Sequence, residues 1–186
     1  MTEEISPENI VSDLTYAQEL KDTRLLILFL HLYVEHFIKQ LSKEKRVKEG
    51  SLRKNARKLQ EIGVFDKDVL NVIELVYDLR NELIHYLKPD YTLLERWIKE
   101  FIIPFEYEPH KYNEIQNLAK IIESSGSIIK IQIIGIPVIF NLYKKLKEIR
   151  KEEIEYEMEL KLSTIPIFDF NIKKMKKTEG EKGNIL

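Results

Sequence analysis

The side chains best suited to chemistry lie in one segment, Asp78 to Tyr86. At about 100° per residue, one arc of a helix collects the apolar side chains of this region: Val69, Val72, Val76, Leu79, Leu83 and Leu87. A second stripe collects the polar ones: Glu74, Asp78, Asn81 and His85. Arg80 lies at the margin of the apolar arc, so its guanidinium is half desolvated and needs either a carboxylate or an anion supplied by a partner.

An upstream helix carries a candidate carboxylate for Arg80. Residues 23–41 are apolar nearly all round, which indicates a central, buried helix. A narrow polar stripe crosses it, formed by Arg24, His31, Glu35 and Lys39. If this helix and the one carrying Arg80 pack as antiparallel neighbours, Glu35 would reach the guanidinium and orient it. The alternative is a buried ion pair that only sets the register of the two helices.

A basic segment is the second feature relevant to function. Residues 43–58 hold eight Lys or Arg against two Glu, whereas the whole chain has 30 basic and 31 acidic residues and a net charge of −1. The balanced total excludes a binder that is basic throughout, but the local excess would supply salt-sensitive contacts to RNA phosphates. The candidate RNA-contact residues are Arg46, Lys48, Arg53, Lys54 and Arg57. The alternative is an ordinary solvated connector.

Composition and spacing exclude other chemistries. The chain has no cysteine, so disulfides, thiolate metal sites and cysteine nucleophiles are excluded. Glu82 and His85 match the Glu-x-x-His spacing of di-iron bundles, but the sequence has no second copy of it. His31, Glu35 and His36 do not share one helix face, as zinc ligands must. We therefore expect no metal and no cofactor.

The chain offers no signal for secretion or membrane insertion. Its first residues are acidic where a signal peptide would be basic, and no apolar run follows them. The longest apolar stretch, Ile128 to Phe140, is too short to span a bilayer and is interrupted by Lys130 and Gln132. These features predict a cytoplasmic protein without a membrane partner.

Helix signals predict the elements that position the candidate residues. Five residues stand where an N-cap would begin a helix: Ser6, Asp22, Ser51, Asp66 and Asp90. The corresponding helices run over 7–20, 23–41, 51–63, 67–87 and 90–104, with Gly63, Pro89 and Pro104 as stop signals. Short connections between these helices predict an all-α fold, an antiparallel helical bundle over residues 1–105.

The last third of the chain predicts a C-terminal region, 106–172, of helical and extended structure that packs on the bundle. Residues 114–123 have helical character, and a β-branched start at 128 gives way to helical spacing that ends at 149. Alternation over 154–162 predicts a strand, and 165–172 its partner in a short β-hairpin. A long charged helix is the alternative for 150–160. Residues 173–186 are predicted to be a disordered basic tail.

Arg80-Asn81-x-x-x-His85 on a helix, with an apolar, acid-bearing helix upstream, resembles the HEPN superfamily of helical-bundle proteins. The likeness covers about residues 20–90 and is closest to the mannitol-repressor-like branch. It rests on these positions: Arg24, Glu35, Leu59, Ile62, Gly63, Leu70, Ile73, Arg80, Asn81 and His85.

The resemblance implies a metal-independent endoribonuclease or RNA-binding protein of a toxin, defence or stress system. Arg80 would hold the scissile phosphate, His85 would be general base or acid at the ribose 2′-hydroxyl, and Asn81 and Glu35 would orient them. Family members usually dimerise so that two motifs face one cleft, so a homodimer and a cognate antitoxin or regulatory protein are expected partners.

The same residues fit two other functions. The first is a non-catalytic regulatory or protein-interaction module resembling mannitol repressor, in which Arg80 and Glu35 are purely structural. In this case His85 is a solvent-facing histidine one turn after Asn81. The second is a function dominated by 106–172 through a partner protein.

Overall fold

The computed structural model describes residues 5–86, 92, 126–152, 156–162 and 168–174. Five helices lie in these ranges: α1 (Pro7–Glu19), α2 (Thr23–Glu44), α3 (Leu52–Glu61), α4 (Lys67–Tyr86) and α5 (Ser127–Arg150). Two strands follow, β1 (Tyr156–Leu162) and β2 (Phe168–Lys174). The predicted helical bundle is therefore confirmed for the helices described within 5–86 and 126–152. The helices predicted at 90–104 and 114–123 lie outside the described residues.

The helices begin at the predicted caps. The Asp22 carboxylate accepts hydrogen bonds from the amides of Arg24 at 2.9 Å and Leu25 at 3.3 Å, and the Asp66 carboxylate accepts one from the Val69 amide at 2.9 Å. Each cap satisfies amides that have no partner within the helix, which is worth about 1 kcal/mol. Gly63 follows α3 with a φ of 75°, a left-handed conformation that favours glycine.

Helix α2 is the centre of the bundle, as its nearly uniform apolar composition predicts. It packs against each of the other four described helices. Its largest fully buried side chains are Leu26, Ile27, Leu30, Phe37, Ile38 and Leu41, each worth about 1.5–3 kcal/mol of hydrophobic stabilisation. Among the described helices, α2 alone is long and apolar enough to cross a membrane, and 56% of its most apolar stretch is buried inside the protein.

Helix α5 belongs to the same hydrophobic core as α1–α4. Its β-branched start is helical from Ser127 onward. A Cβ added to Gly135 would lie 2.6 Å from Cδ1 of Leu30, so α5 approaches α2 closely at this glycine. Further along both helices, the ring centroids of Phe37 and Tyr143 lie 6.2 Å apart. Since later residues of α2 meet later residues of α5, the two helices run parallel.

The C-terminal strands form the predicted hairpin. Strand β1 pairs antiparallel with β2, from Tyr156 opposite Lys174 to Leu162 opposite Phe168. The strand prediction for this segment is confirmed, and the alternative of a long charged helix is wrong for 156–160. Lys173 and Lys174 belong to β2, so the predicted disordered tail starts too early, because cross-strand pairing extends through these two lysines. Its residues 175–186 lie outside the described residues.

Candidate functional site

Arg80 lies half-buried on α4, as its place at the margin of the apolar arc predicts. Its Nη1 donates a hydrogen bond to Oδ1 of the neighbouring Asn81 at 3.1 Å. Within the described ranges, no carboxylate forms an ion pair with this guanidinium. Arg80 and Asn81 are thus brought together, and the guanidinium keeps donor groups that an anion could occupy.

Glu35 lies near this group but bonds elsewhere. Its Oε1 pairs with Nζ of Lys39 at 2.8 Å, one turn further along α2. This hydrogen bond lowers the pKa of Glu35, and the more distant charges of His31 and Arg80 act in the same direction against the effect of burial. Glu35 and Arg80 therefore interact through space without the direct contact that the sequence predicted. Lys39 takes that place because a lysine at i+4 is already within reach of the carboxylate.

His31 is the residue of this region that sequence reasoning left out of the site. It is buried on α2, with its ring 6.2 Å from the ring of Tyr77 on α4 and its Nδ1 3.9 Å from Oε2 of Glu35. Burial lowers its pKa, and the charge of Arg80 lowers it further. Its position four residues before Glu35, on the same polar stripe, is the signal that could have identified it.

His85 is exposed near the end of α4, with its ring 6.4 Å from that of Tyr86. Five positions separate it from Arg80, which places the two side chains about 140° apart around the helix. In the described part of the chain, no hydrogen bond joins His85 to Arg80 or Asn81. A single chain therefore does not bring its arginine and histidine to one point.

The acidic residues of the polar stripe on α4 form ion pairs with arginines of α3. Nη2 of Arg53 bonds Oδ1 of Asp78 at 2.7 Å, and Nε of Arg57 bonds Oε1 of Glu74 at 2.7 Å. Because the later residue of α3 bonds the earlier residue of α4, these two helices run antiparallel. The guanidinium of Arg53 also lies 4.9 Å above the centre of the Tyr77 ring. These contacts occupy two of the five candidate RNA-contact arginines and lysines.

The other three candidates have a different environment. Arg46, Lys48 and Lys54 are exposed at the end of α2, in the connection to α3 and at the start of α3. None of them makes an ion pair with another described residue. Arg46 has a φ of 54°, in the left-handed region, where the chain leaves α2. Of the five candidates, these three are the available cations.

The described side chains do not include a group of three histidine, aspartate or glutamate residues that could hold a metal ion. The side chains of the Arg80 region offer a guanidinium that can bind an anion and an imidazole that can transfer a proton. No family model matches this chain, and neither a curated protein nor a solved structure matches it.

Proposed function

We propose that this protein acts on RNA as a metal-independent endoribonuclease, with Arg80 and His85 at a cleft between two copies of the chain. The observation that carries the proposal is the half-buried guanidinium of Arg80, which is oriented by Asn81 and has no carboxylate partner among the described residues. A partly desolvated guanidinium binds phosphate more strongly than an exposed one and offers two parallel donors to it. The likeness of this motif to HEPN nucleases points to the same chemistry.

The proposal includes a second copy because Arg80 and His85 of one chain lie too far apart around α4 to act on the same phosphate. Near the end of α4, Ile84 is 48% exposed and Tyr86 is 75% exposed. Exposed apolar side chains of this size favour burial against another surface. Self-association at this end would bring His85 of one copy toward Arg80 of the other. The same surface is the candidate docking site for a cognate antitoxin.

In the proposed reaction, a 2′-hydroxyl of the RNA attacks the neighbouring phosphate and cleaves the chain. His85 removes the proton of a 2′-hydroxyl, the 2′-oxygen attacks the neighbouring phosphorus, and the bond from phosphorus to the 5′-oxygen breaks. The leaving 5′-oxygen takes a proton from the second His85, and the product is a 2′,3′-cyclic phosphate. Arg80 stabilises the negative charge that grows on the phosphate oxygens. Arg46, Lys48 and Lys54 add salt-sensitive contacts to other phosphates.

The direct test is to incubate the protein with structured and unstructured RNA in the presence of EDTA. Arg80→Ala and His85→Ala should each abolish cleavage, whereas His36→Gln, a histidine away from the motif, should leave it unchanged. Mixing the two inactive variants should restore a small part of the activity, because some mixed dimers contain one intact pair of Arg80 and His85, with water replacing the second His85 as the proton donor. Cleavage that persists in both variants would rule out the catalytic assignment.

A second candidate function is a non-catalytic regulatory or protein-interaction module. The observation that favours it is that Arg53 and Arg57 are bonded to acids of α4, which leaves fewer cations for RNA. In this case the protein binds no RNA, His85→Ala changes neither stability nor partner binding, and Ile84→Asp or Tyr86→Asp weakens association with the partner. Measuring RNA binding together with cleavage separates the two functions.

A further inference from the structure

A histidine that the proposed reaction does not use lies against Tyr77 of α4, one turn before Arg80 on the same helix. Only 7% of His31 is exposed. Its ring lies against Tyr77 of α4 with 6.2 Å between centroids, and Oε2 of Glu35 lies 3.9 Å from its Nδ1. The imidazole is therefore held between an aromatic ring and a carboxylate at the contact between α2 and α4, and Arg80 follows that aromatic residue by one turn of α4.

Charged groups of two helices, α2 and α4, act on this imidazole. Glu35 and Lys39 belong to its own helix and are bonded to each other at 2.8 Å. Arg80 comes from α4. Arg53 of α3 lies over the Tyr77 ring at 4.9 Å, but its charge is paired with that of Asp78 at 2.7 Å. The charges that act on His31 are thus two cations and one carboxylate, and that carboxylate is already bonded to a lysine. A proton on His31 would add a third positive charge, so the arrangement favours the neutral imidazole.

An anion on Arg80 would change this balance. It would cancel the positive charge that acts most strongly on His31 from α4, because opposite charges attenuate each other's field at a third group. Burial lowers the pKa of His31 most and the Arg80 charge comes next, while the carboxylate of Glu35 opposes both. Cancelling the Arg80 charge would therefore make His31 easier to protonate.

We propose that His31 is a charge-regulating positioning residue of the Arg80 site: an anion bound to Arg80 promotes protonation of His31, and protonation of His31 strengthens binding of the anion. The two effects are equal by thermodynamic linkage. The proposal rests on the proposed role of Arg80 as the phosphate ligand, and it adds regulation by pH. RNA binding at this site then strengthens as the pH falls through the range in which His31 titrates.

The experiment follows the imidazole signals of the full chain by NMR from about pH 8 to about pH 5, around the usual histidine pKa. The chain has four histidines, and His31→Gln identifies the signal of His31. The probe is sodium sulfate, a dianion throughout this range, with sodium chloride added to keep the ionic strength constant. Sulfate should raise the pKa of His31. Arg80→Gln should raise that pKa without sulfate and remove the response to sulfate, whereas Arg80→Lys should retain part of the response.

His36 is the matched control in the same molecule. Its pKa is also lowered by burial, but the charges that act on it are those of Arg150 and Lys39. Arg80→Gln should therefore leave the pKa of His36 unchanged. The proposal is overturned if sulfate does not move His31, if it moves His31 and His36 equally, or if the response survives in Arg80→Gln.

The outcome also separates this proposal from the proposed function. If sulfate raises the pKa of His31 through Arg80 but RNA is not cleaved, the coupling holds and the endoribonuclease is refuted. If RNA is cleaved in a manner that depends on Arg80 and His85 while sulfate leaves His31 unmoved, the endoribonuclease holds and the coupling is refuted.

Discussion

Two adjacent residues of the basic segment should respond to substitution in opposite ways. Arg53 bonds Asp78 at 2.7 Å and lies 4.9 Å above the Tyr77 ring. Lys54 is exposed and makes no ion pair within the described ranges. We therefore expect Arg53→Ala to destabilise the fold with little effect on RNA contacts. Lys54→Ala should weaken RNA binding without destabilising the fold.

The expected cost of Arg53→Ala is about 1 kcal/mol. The carboxylate and the guanidinium are both partly exposed, so solvent screening limits their ion pair to roughly 0.2–1 kcal/mol. The cation–π contact with Tyr77 adds about 0.5–1 kcal/mol. The substitution also removes a buried Nε–H of Arg53 that has no hydrogen-bond partner among the described residues, and this gain offsets part of the loss. In a chain of this size, about 1 kcal/mol lowers the Tm by roughly 2–4 °C.

Two measurements check the pair of variants. Thermal unfolding followed by circular dichroism should show the loss of Tm for Arg53→Ala and no change for Lys54→Ala. Fluorescence anisotropy with labelled RNA should show that Lys54→Ala reduces the slope of log K against log salt by about 0.7–0.9, the contribution of one phosphate contact. A Tm that does not move in Arg53→Ala, or a salt slope that falls in Arg53→Ala alone, would refute the assignment.

Three further predictions concern the helices that carry the site. Gly135→Ala should lower the free energy of unfolding by about 1 kcal/mol, because overpacking against the buried Leu30 outweighs the better helix propensity of alanine. In a Leu30→Ala background the same change should stabilise the protein. A double-mutant cycle measured by urea unfolding checks both expectations. Asp22→Ala should cost about 1 kcal/mol by removing the cap of α2, and Asp22→Asn, which retains an acceptor, should cost less in the same assay. The lowered pKa of His31 means that the unfolded chain takes up this proton first, so stability should fall as the pH drops below about 6.5. In urea titrations at several pH values, His31→Gln should make this decline shallower, and His36 should contribute to the part that remains.

Local signals predict where the helices begin, whereas α2 ends at Glu44, three residues beyond the predicted end. A serine or aspartate cap acts on amides within three residues of itself, so Ser6, Asp22 and Asp66 begin their helices whatever the rest of the chain does. The start of α5 is harder to predict, because a short β-branched run is typical of a buried strand as well as of a buried helix. Packing against α2, with Gly135 allowing the close approach, favours the helix.

The sequence predicts which residues form the candidate site, but it does not predict which of them contact each other. Periodicity alone places Arg80 at the edge of the apolar arc of α4, and the side chain is half-buried there. The identity of its neighbours depends on how α2 and α3 pack against α4. Glu35 bonds Lys39 of its own helix. His31 joins the site instead, because its ring packs on Tyr77 of α4.

The sequence by itself determined the helices of the bundle, their caps and the half-buried position of Arg80, because each depends on spacing within one segment. Only the tertiary structure decided which basic residues remain free. Arg53 and Arg57 stand in the same charged run as Lys54, yet the antiparallel packing of α3 and α4 places both arginines against Asp78 and Glu74. Ion pairs across helices depend on register and direction, which no single segment encodes.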